Sequence, residues 1–276
     1  MTEGLGAATL APAPLPGWDC HVHVFDAAAA VLPGHYQPVH RPLLDIENQA
    51  ATLGVGRLVL VQPSVYGSNN SLLLRALQMQ PGRHRGVLVL GTDTDAATLE
   101  PLHTTGVRGV RLNAVSPVGE AADLGRRYQQ LAPLLAARGW HLQWYTAAEH
   151  LPDIAALHAG SSVVAVLDHL AGLHAGIAAN HPAWVALRTL ADSGAWVKLS
   201  GWYRLRAAAP YTALLPLVQR VAELFGERLL WGSDWPHTSF KPDELPTYGS
   251  TWAPVLAALG ANRAASLHAA AARLYN

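Results

Sequence analysis

Eight short apolar runs alternate with longer helix-forming segments along the chain, and this alternation restricts the fold more than any other feature. Each run has the length of a strand and is rich in Val, Leu or Trp, which is typical of buried strands. The runs are Trp18–Val24, Arg57–Gln62, Arg85–Leu90, Val107–Leu112, Trp140–Tyr145, Val163–Asp168, Ala195–Leu199 and Arg228–Gly232. Helices are predicted over Leu43–Leu53, Ser71–Met79, Asp95–His103, Leu124–Arg138, Pro182–Ser193, Tyr211–Phe225, Pro254–Leu259 and Asn262–Tyr275.

This pattern predicts a single-domain (β/α)8 TIM barrel, a fold that accommodates the chain's 276 residues as one unit. A doubly wound open sheet also alternates strands and helices. The barrel is favoured because eight runs are present, because polar residues follow runs along the whole chain, and because no Gly-rich dinucleotide turn follows the first run. Residues 1–17 are rich in Ala, Pro and Gly, so we expect a disordered or extended segment there and a barrel over 18–276.

Composition narrows the classes of partner. Lys and Arg together number 19, as do Asp and Glu, so the formal net charge is zero. This balance argues against nucleic acid or an anionic membrane as a partner, since both select basic surfaces. The single cysteine, Cys20, excludes an intrachain disulfide and a Cys-based structural zinc site. We find no secretory signal and no apolar stretch of membrane length, which predicts a cytoplasmic location, whereas nothing in the sequence indicates the oligomeric state.

The first predicted strand contains two histidines, His21 and His23. Side chains alternate across a strand, so both imidazoles should point to the same face. Such a pair can bind a metal, or polarise a carbonyl and orient water. For an isolated pair, ordinary hydrogen bonds in a polar rim are the alternative explanation.

Two polar residues follow later strands. His169 comes directly after the sixth run, and Asp234 follows the eighth, between Trp231 and Trp235. A carboxylate in apolar surroundings needs a partner; it could be a metal ligand or a general base on water, although a turn or capping Asp would also fit. Because the carboxyl ends of barrel strands converge on one face, the two residues and the histidine pair together predict an active site.

Three motifs resemble those of a known family. H-V-H on the first strand, D-H-L-A-G after the sixth and W-G-S-D-W-P-H after the eighth are similar to motifs of the amidohydrolase superfamily. The likeness is greatest to the amidohydrolase-2 group, which contains 2-pyrone-4,6-dicarboxylate lactonase and related sugar and muconolactone lactonases. It extends from about Asp19 to Tyr275 and includes the segments 61–64, 106–113 and 197–201.

The resemblance implies a role for each site residue. Asp234 would be the general base that deprotonates the attacking water. His21, His23 and His169 would surround that water and the scissile carbonyl, and one of them would polarise the carbonyl oxygen. The resemblance also implies a group of residues that bind the substrate or line the mouth of the site, namely Tyr36, Ser64, Arg111, Tyr145, Arg204 and His237.

Several of these positions have a structural alternative. Arg111 would be satisfied by a substrate carboxylate or equally by an internal Asp or Glu. Arg204 could be a solvated loop charge, and Tyr145 could fill the core with its hydroxyl on a backbone carbonyl. Trp202, in the loop after the seventh strand, is a further candidate for the pocket wall.

The need for a metal is a separate question. Metal-dependent relatives add to the H-x-H pair and the strand-eight Asp a further His, usually on strand five, where this chain has Tyr145. Arg111 on strand four is a cation that would repel a metal. A tight mononuclear zinc site therefore lacks its third neutral nitrogen unless His169 supplies it. We predict that no metal is required; if a divalent metal such as zinc binds, its ligands would be His21, His23, His169 and Asp234.

The predicted reaction is hydrolysis of the lactone of a small carboxylic acid, resembling 2-pyrone-4,6-dicarboxylate, a muconolactone or a sugar lactone, by water that Asp234 activates. The dicarboxylate lactonase pattern has an Arg three residues after the strand-six His, where this chain has Gly172, which favours a substrate with one acid group. The alternatives are a zinc-dependent decarboxylase or amide hydrolase of the same superfamily, and a barrel that binds a small carboxylate without catalysis.

Overall fold

The computed structural model describes residues 16–33, 35–115, 123–241 and 243–276. Eight strands form one sheet in chain order, and every neighbouring pair is parallel. A parallel bridge between Val22 and Trp235 brings the first strand against the end of the last, so the sheet is a nearly closed barrel. The strands are β1 Gly17–Val22, β2 Val55–Val61, β3 Arg85–Leu88, β4 Val107–Asn113, β5 His141–Tyr145, β6 Ala165–Leu167, β7 Trp196–Leu199 and β8 Leu229–Trp231.

Eight α-helices connect or follow these strands and cover the outside of the sheet. This arrangement confirms the predicted TIM barrel and rules out the open doubly wound sheet, whose strand order is not sequential. The helices are α1 Leu43–Ala51, α2 Ser71–Met79, α3 Ala96–Thr105, α4 Leu124–Arg138, α5 Leu151–His158, α6 Ala183–Asp192, α7 Leu215–Phe225 and α8 Tyr248–Tyr275. None of the described helices combines the length and hydropathy that crossing a membrane requires.

Several element boundaries differ from the predictions by a few residues, and one helix was not predicted. Helix α5 was not predicted; it is only eight residues long, too short for a clear helical period. The two predicted C-terminal helices are present and are joined in α8, which breaks between them where Gly260 adopts a non-helical φ of 74°; the first of them begins earlier than predicted, at Tyr248. Gly17 begins β1 and donates its N–H to the Gly54 carbonyl, so it belongs to the barrel. Residues 1–15 of the predicted N-terminal segment lie outside the described residues.

The described residues form two large apolar clusters and a small third one of Phe25, Val65 and Tyr66. The larger of the two lies between strands and helices. The other joins side chains from six different strands, including Trp18, Cys20 and Val59, to Tyr275 at the end of α8. Only the barrel interior brings so many strands together, so this cluster fills its centre, where Tyr275 stacks on Trp18 with ring centroids 5.8 Å apart. The predicted site residues lie beyond this cluster, at the carboxyl ends of the strands.

Candidate active site

The four predicted catalytic residues converge at the carboxyl end of the barrel. Backbone hydrogen bonds hold the end of β1, which bears His21 and His23, against the segment after β8, which bears Asp234. The Asp234 N–H donates to the His21 carbonyl at 2.9 Å, and the His23 N–H donates to the Trp235 carbonyl at 2.9 Å. These bonds place the Asp234 carboxylate beside both imidazoles of the first strand.

Three imidazole nitrogens surround one carboxylate oxygen. The Oδ1 atom of Asp234 lies 3.7 Å from His21 Nε2, 3.6 Å from His23 Nε2 and 4.0 Å from His169 Nε2. All four side chains are buried. Asp234 Oδ1 and His21 Nε2 nevertheless have no hydrogen-bond partner in the described part of the chain. Buried polar atoms without a partner are rare and call for a functional reason. This pair faces a common point that one small reactant can reach.

The second nitrogen of each imidazole is held by a different partner. Nδ1 lies 3.2 Å from Asp168 Oδ1 in His21, 2.7 Å from the Val61 carbonyl in His23, and 2.9 Å from Ser200 Oγ in His169. A backbone carbonyl only accepts, so His23 carries its proton on Nδ1 and presents a bare Nε2 to the site. A hydroxyl can donate or accept, so His169 can carry its proton on Nε2.

Local backbone conformation is specialised at two of these residues. His169 and Asp234 have φ values of 48° and 60°, in the left-handed region that non-glycine residues rarely occupy. Two glycines keep the space beside the imidazoles open. A Cβ on Gly201 would lie 2.4 Å from His169 Nδ1, and one on Gly232 would lie 2.5 Å from His21 Cβ. The segments that follow β7 and β8 therefore need glycine at these two positions to leave room for the imidazoles.

The charge of Asp234 is set by its second oxygen. Oδ2 accepts hydrogen bonds from the Tyr203 hydroxyl and from Arg204 Nε, each at 2.7 Å. Burial alone would raise the pKa of Asp234, but the Arg204 guanidinium, together with the three neighbouring imidazoles, outweighs burial and holds this pKa well below its usual value. Burial also lowers the pKa of His169 to about 4. At neutral pH the site thus combines an ionised carboxylate with a neutral imidazole.

A cavity of about 230 Å³ opens beside Asp234. His23, His169 and Asp234 contribute to its wall. So do all the predicted substrate-binding residues except one, namely Tyr36, Ser64, Arg111, Tyr145 and Arg204. The exception is His237, which lines an adjoining cavity of about 160 Å³. The turn after Asp234 is closed by a 3.0 Å bond from the His237 N–H to the Asp234 carbonyl, and it carries the ring into that neighbouring space.

The two arginines of the cavity both pair with internal carboxylates. Arg111 is 4 % exposed and donates from Nε to Asp168 Oδ2 at 3.2 Å, while it also lines the cavity. Arg204 is bound to Asp234, which excludes a purely solvated role. Arg111 therefore has an internal carboxylate partner, which was the structural alternative, and it still lines the cavity.

The two aromatic candidates have different surroundings. Tyr145 lies against both cations, with its ring centroid 4.8 Å from the Arg111 guanidinium carbon and 5.9 Å from that of Arg204. Its ring also meets His169 edge-on at 5.1 Å. Trp202 does not line the cavity, contrary to the prediction. It is 2 % exposed and donates from Nε1 to the Thr251 carbonyl at 2.8 Å, which ties the loop after β7 to α8.

Sequence reasoning missed a buried polar group beneath His21. Asp168 Oδ1 lies 3.2 Å from Lys198 Nζ, and Asp168 Oδ2 accepts from Gln143 Nε2 at 2.9 Å. Lys198 Nζ also donates to Gln143 Oε1 at 2.6 Å. Asp168, Gln143 and Lys198 are all completely buried. Their signal in the sequence was present, because a Lys within the four-residue strand Trp196–Leu199 and a Gln within β5 interrupt apolar runs.

The donor atoms of the site also fit a divalent cation. One donor atom each from His21, His169 and Asp234 lies within 4.8 Å of the others. Imidazole nitrogen and carboxylate oxygen are ordinary ligands of zinc. A metal held by these three residues, with His23 beside them, would act as a Lewis acid on water or on a carbonyl.

Comparison with known proteins places the chain in a family. The Amidohydro_2 family model, described as Amidohydrolase, matches residues 18–276. A 4-sulfomuconolactone hydrolase of Rhizobium radiobacter is 31% identical over 243 residues, which cover 86% of this chain and 81% of the relative. A 2-pyrone-4,6-dicarboxylate hydrolase of Comamonas testosteroni is 29% identical over 251 residues, covering 84% and 80%. A crystal structure from Pseudomonas putida is 31% identical and superposes with a TM-score of 0.83 over 95% of this chain and 97% of its own. The chain belongs to the amidohydrolase family.

Proposed function

We propose that this protein hydrolyses the lactone of a small carboxylic acid, and that Asp234 activates the attacking water. One observation carries the proposal: the buried Oδ1 of Asp234 has no hydrogen-bond partner among the described residues and faces three imidazole nitrogens at 3.6 to 4.0 Å. A base needs such an uncommitted oxygen within reach of water. The relatives named as lactone hydrolases support a cyclic ester as the substrate class.

The reaction begins with proton transfer to Asp234. Water between the carboxylate and the imidazoles loses a proton to Oδ1, and its oxygen adds to the lactone carbonyl. The bare Nε2 of His23 accepts the second hydrogen of the water and orients its lone pair. Collapse of the tetrahedral intermediate breaks the ring C–O bond, and the departing oxygen takes the proton from Asp234. The products are a carboxylate and a hydroxyl or its oxo tautomer, with one proton released to solvent.

We assign to His169 the hydrogen bond to the carbonyl oxygen of the lactone. Its Nδ1 partner, the Ser200 hydroxyl, can donate, so its Nε2 can carry the proton. A neutral N–H aimed at a developing oxyanion stabilises the intermediate more than the ground state. The low pKa of His169, about 4, keeps this imidazole neutral.

Arg111 and Ser64 anchor the acid group of the substrate. Both line the cavity, and Arg111 presents a guanidinium that matches a carboxylate. Asn113 donates to Ser64 Oγ at 2.9 Å, which leaves the hydroxyl hydrogen for a ligand. Gly172 favours a substrate with a single acid group. Its φ of +72° and the 2.3 Å approach that a Cβ would make to the Thr146 carbonyl leave no room for a cationic side chain.

Hydrolysis is proposed to proceed without an obligatory metal. Arg204 already neutralises Asp234 through Oδ2, and strand five supplies Tyr145 where a further imidazole ligand would stand. Because the donor set nevertheless fits a cation, the competing proposal is a zinc-dependent hydrolase or decarboxylase of the same family. In that case the same histidines and Asp234 would hold the ion.

A panel of lactones tests the proposal. The purified protein is assayed by proton release on muconolactones, sugar lactones and pyrone carboxylates, with and without a chelator, and its metal content is measured. We expect turnover of at least one mono-acid lactone at the same rate in chelator. Loss of all turnover on chelation, restored by one equivalent of zinc, would replace the metal-free reaction with the metal-dependent one. Binding without turnover of any lactone would leave a carboxylate-binding barrel.

A further inference from the structure

Beneath the proposed base lies a second carboxylate whose oxygens are fully engaged. Asp168 Oδ1 contacts His21 Nδ1 and Lys198 Nζ, each at 3.2 Å. Asp168 Oδ2 accepts from Arg111 Nε at 3.2 Å and from Gln143 Nε2 at 2.9 Å. The carboxylate thus connects His21, which faces the water site, with Arg111, which lines the substrate cavity.

Two partners compete for the Nδ1 atom of His21. If Nδ1 carries the proton, it donates to Asp168 Oδ1; if Nδ1 is bare, it accepts from Lys198 Nζ, which lies 3.4 Å away. The first arrangement is favoured on two grounds. The Asp168 contact is shorter, and a bare Nδ1 would set its lone pair against a carboxylate oxygen. Lys198 meanwhile has better acceptors, Gln143 Oε1 at 2.6 Å and Asp168 itself.

We propose that Asp168 is a positioning residue that fixes the His21 proton on Nδ1, so that Nε2 faces Asp234 Oδ1 as a bare acceptor. The catalytic consequence of this inference rests on the proposed function, in which Asp234 is the general base. A proton on His21 Nε2 would be donated to Oδ1, 3.7 Å away, and would engage the oxygen that has to take a proton from water. With Nε2 bare, His21 leaves Oδ1 free to take one hydrogen of the attacking water while His23 Nε2 accepts the other, and Oδ1 keeps its basicity.

Lys198 and Gln143 have a supporting part in this arrangement. Lys198 is completely buried, and its ammonium group compensates the charge of Asp168 at a depth that solvent does not reach. Gln143 accepts from Lys198 and donates to Asp168, so its amide orientation is defined by both neighbours. The group therefore holds the carboxylate in one position under the His21 ring.

The position of the proton can be observed directly. The full-length protein is labelled with 15N and 13C in histidine and treated with chelator, and imidazole nitrogen–carbon correlations show which nitrogen of His21 carries hydrogen. His21→Asn identifies the His21 signals. We expect the proton on Nδ1 at neutral pH; a proton on Nε2 overturns the proposal. This spectrum needs no turnover, so absence of lactonase activity would reject the proposed function without deciding the tautomer.

Asp168→Asn tests the consequence for catalysis. The Asn oxygen would be drawn to the two donors Arg111 and Gln143, which turns its NH2 toward His21 Nδ1 and moves the His21 proton to Nε2. We expect kcat to fall about a hundredfold while KM changes less than about threefold. A fall in kcat with the proton still on Nδ1, or a shifted proton with kcat unchanged, contradicts the proposal. If the variant does not fold, the wild-type spectrum still decides.

Asp19→Asn is the matched control. Asp19 is also a completely buried carboxylate, but it accepts from the backbone N–H groups of His21 and Ser233 and from the Tyr248 hydroxyl rather than from an imidazole. An Asn there can keep both backbone bonds through its oxygen. We expect its His21 tautomer to match the wild type and its kcat to lie within about threefold. An equal loss of kcat in both variants would assign the Asp168 effect to general disruption of the barrel interior.

Discussion

Asp168 and Asp234 are two buried carboxylates that follow β6 and β8, and they differ in how their oxygens are used. Both oxygens of Asp168 meet donors: His21 and Lys198 on one, Arg111 and Gln143 on the other. Asp234 engages only Oδ2, with Tyr203 and Arg204, and turns Oδ1 toward three imidazoles. A carboxylate saturated with donors gains nothing from a proton, whereas an uncommitted oxygen can accept one. Burial alone therefore does not identify a catalytic base; the distribution of donors does.

The largest expected effect comes from removing the base. Asp234→Asn keeps the size of the side chain and its Oδ2-side contacts but cannot accept a proton. We expect kcat to fall about a thousandfold, while binding of a non-reacting carboxylate measured by calorimetry changes less than about threefold. Asp19→Asn controls for the amide substitution in a buried site. If kcat of the Asp234→Asn enzyme lay within tenfold of the wild-type value, Asp234 would not be the base that distinguishes it from Asp168.

The second effect concerns the donor to the carbonyl oxygen. His169→Asn removes the imidazole that Ser200 allows to carry a proton on Nε2. We expect kcat to fall about a hundredfold with KM little changed, because the lost contact strengthens only as charge develops on the oxygen. Ser200→Ala should cause a smaller loss in the same direction. If KM rises and kcat does not change, His169 binds substrate and does not stabilise the intermediate.

The pH dependence of kcat/KM tests the charge states of Asp234 and His169. The pKa of Asp234 is held well below its usual value and that of His169 is about 4, so both keep their working forms as pH falls from neutral. We expect the loss of kcat/KM that protonation of His169 causes to appear as pH drops through about 4, where an imidazolium at His169 would attract Oδ1. A profile with no further fall between about pH 5 and pH 3 would contradict this.

Arg204→Met tests the cause of that low pKa. Without the guanidinium, burial would dominate and raise the pKa of Asp234, so the acid limb of the rate profile should move to higher pH. Arg206→Met is the control, since Arg206 lines another cavity, of about 120 Å³, and forms no ion pair with any described residue. Equal shifts in both variants would point to the charge of the loop rather than to the bond with Asp234.

The smallest expected effect is at the acid-binding side of the cavity. Ser64→Ala removes one neutral hydrogen bond to the substrate acid, so KM should rise about threefold to tenfold with kcat unchanged. Steady-state kinetics on the best lactone of the panel measures it. An effect on kcat as large as that of His169→Asn would mean that Ser64 belongs to the reacting centre.

The sequence predicted the barrel and the approach of Asp234 to His21 and His23, because strand count and residue position after a strand determine which side chains reach the carboxyl end. It did not predict the partners of each nitrogen. Arg204 follows β7 as an unremarkable loop cation, and only the structure places it on Asp234. The register of β1 against β2 shifts between Asp19 and Val22, which strict alternation of side chains does not anticipate. Cys20 consequently joins the interior cluster, whereas Val22 packs outward.

Hydrolysis in 18O-labelled water tests whether Asp234 delivers water to the ring carbonyl. We expect one labelled oxygen per turnover, located in the newly formed carboxylate of the product. A label in the product hydroxyl would mean attack at the ring carbon instead of the carbonyl. A product without label would mean that the acyl group passes to another hydroxyl of the substrate, and either result would contradict the role given to Asp234.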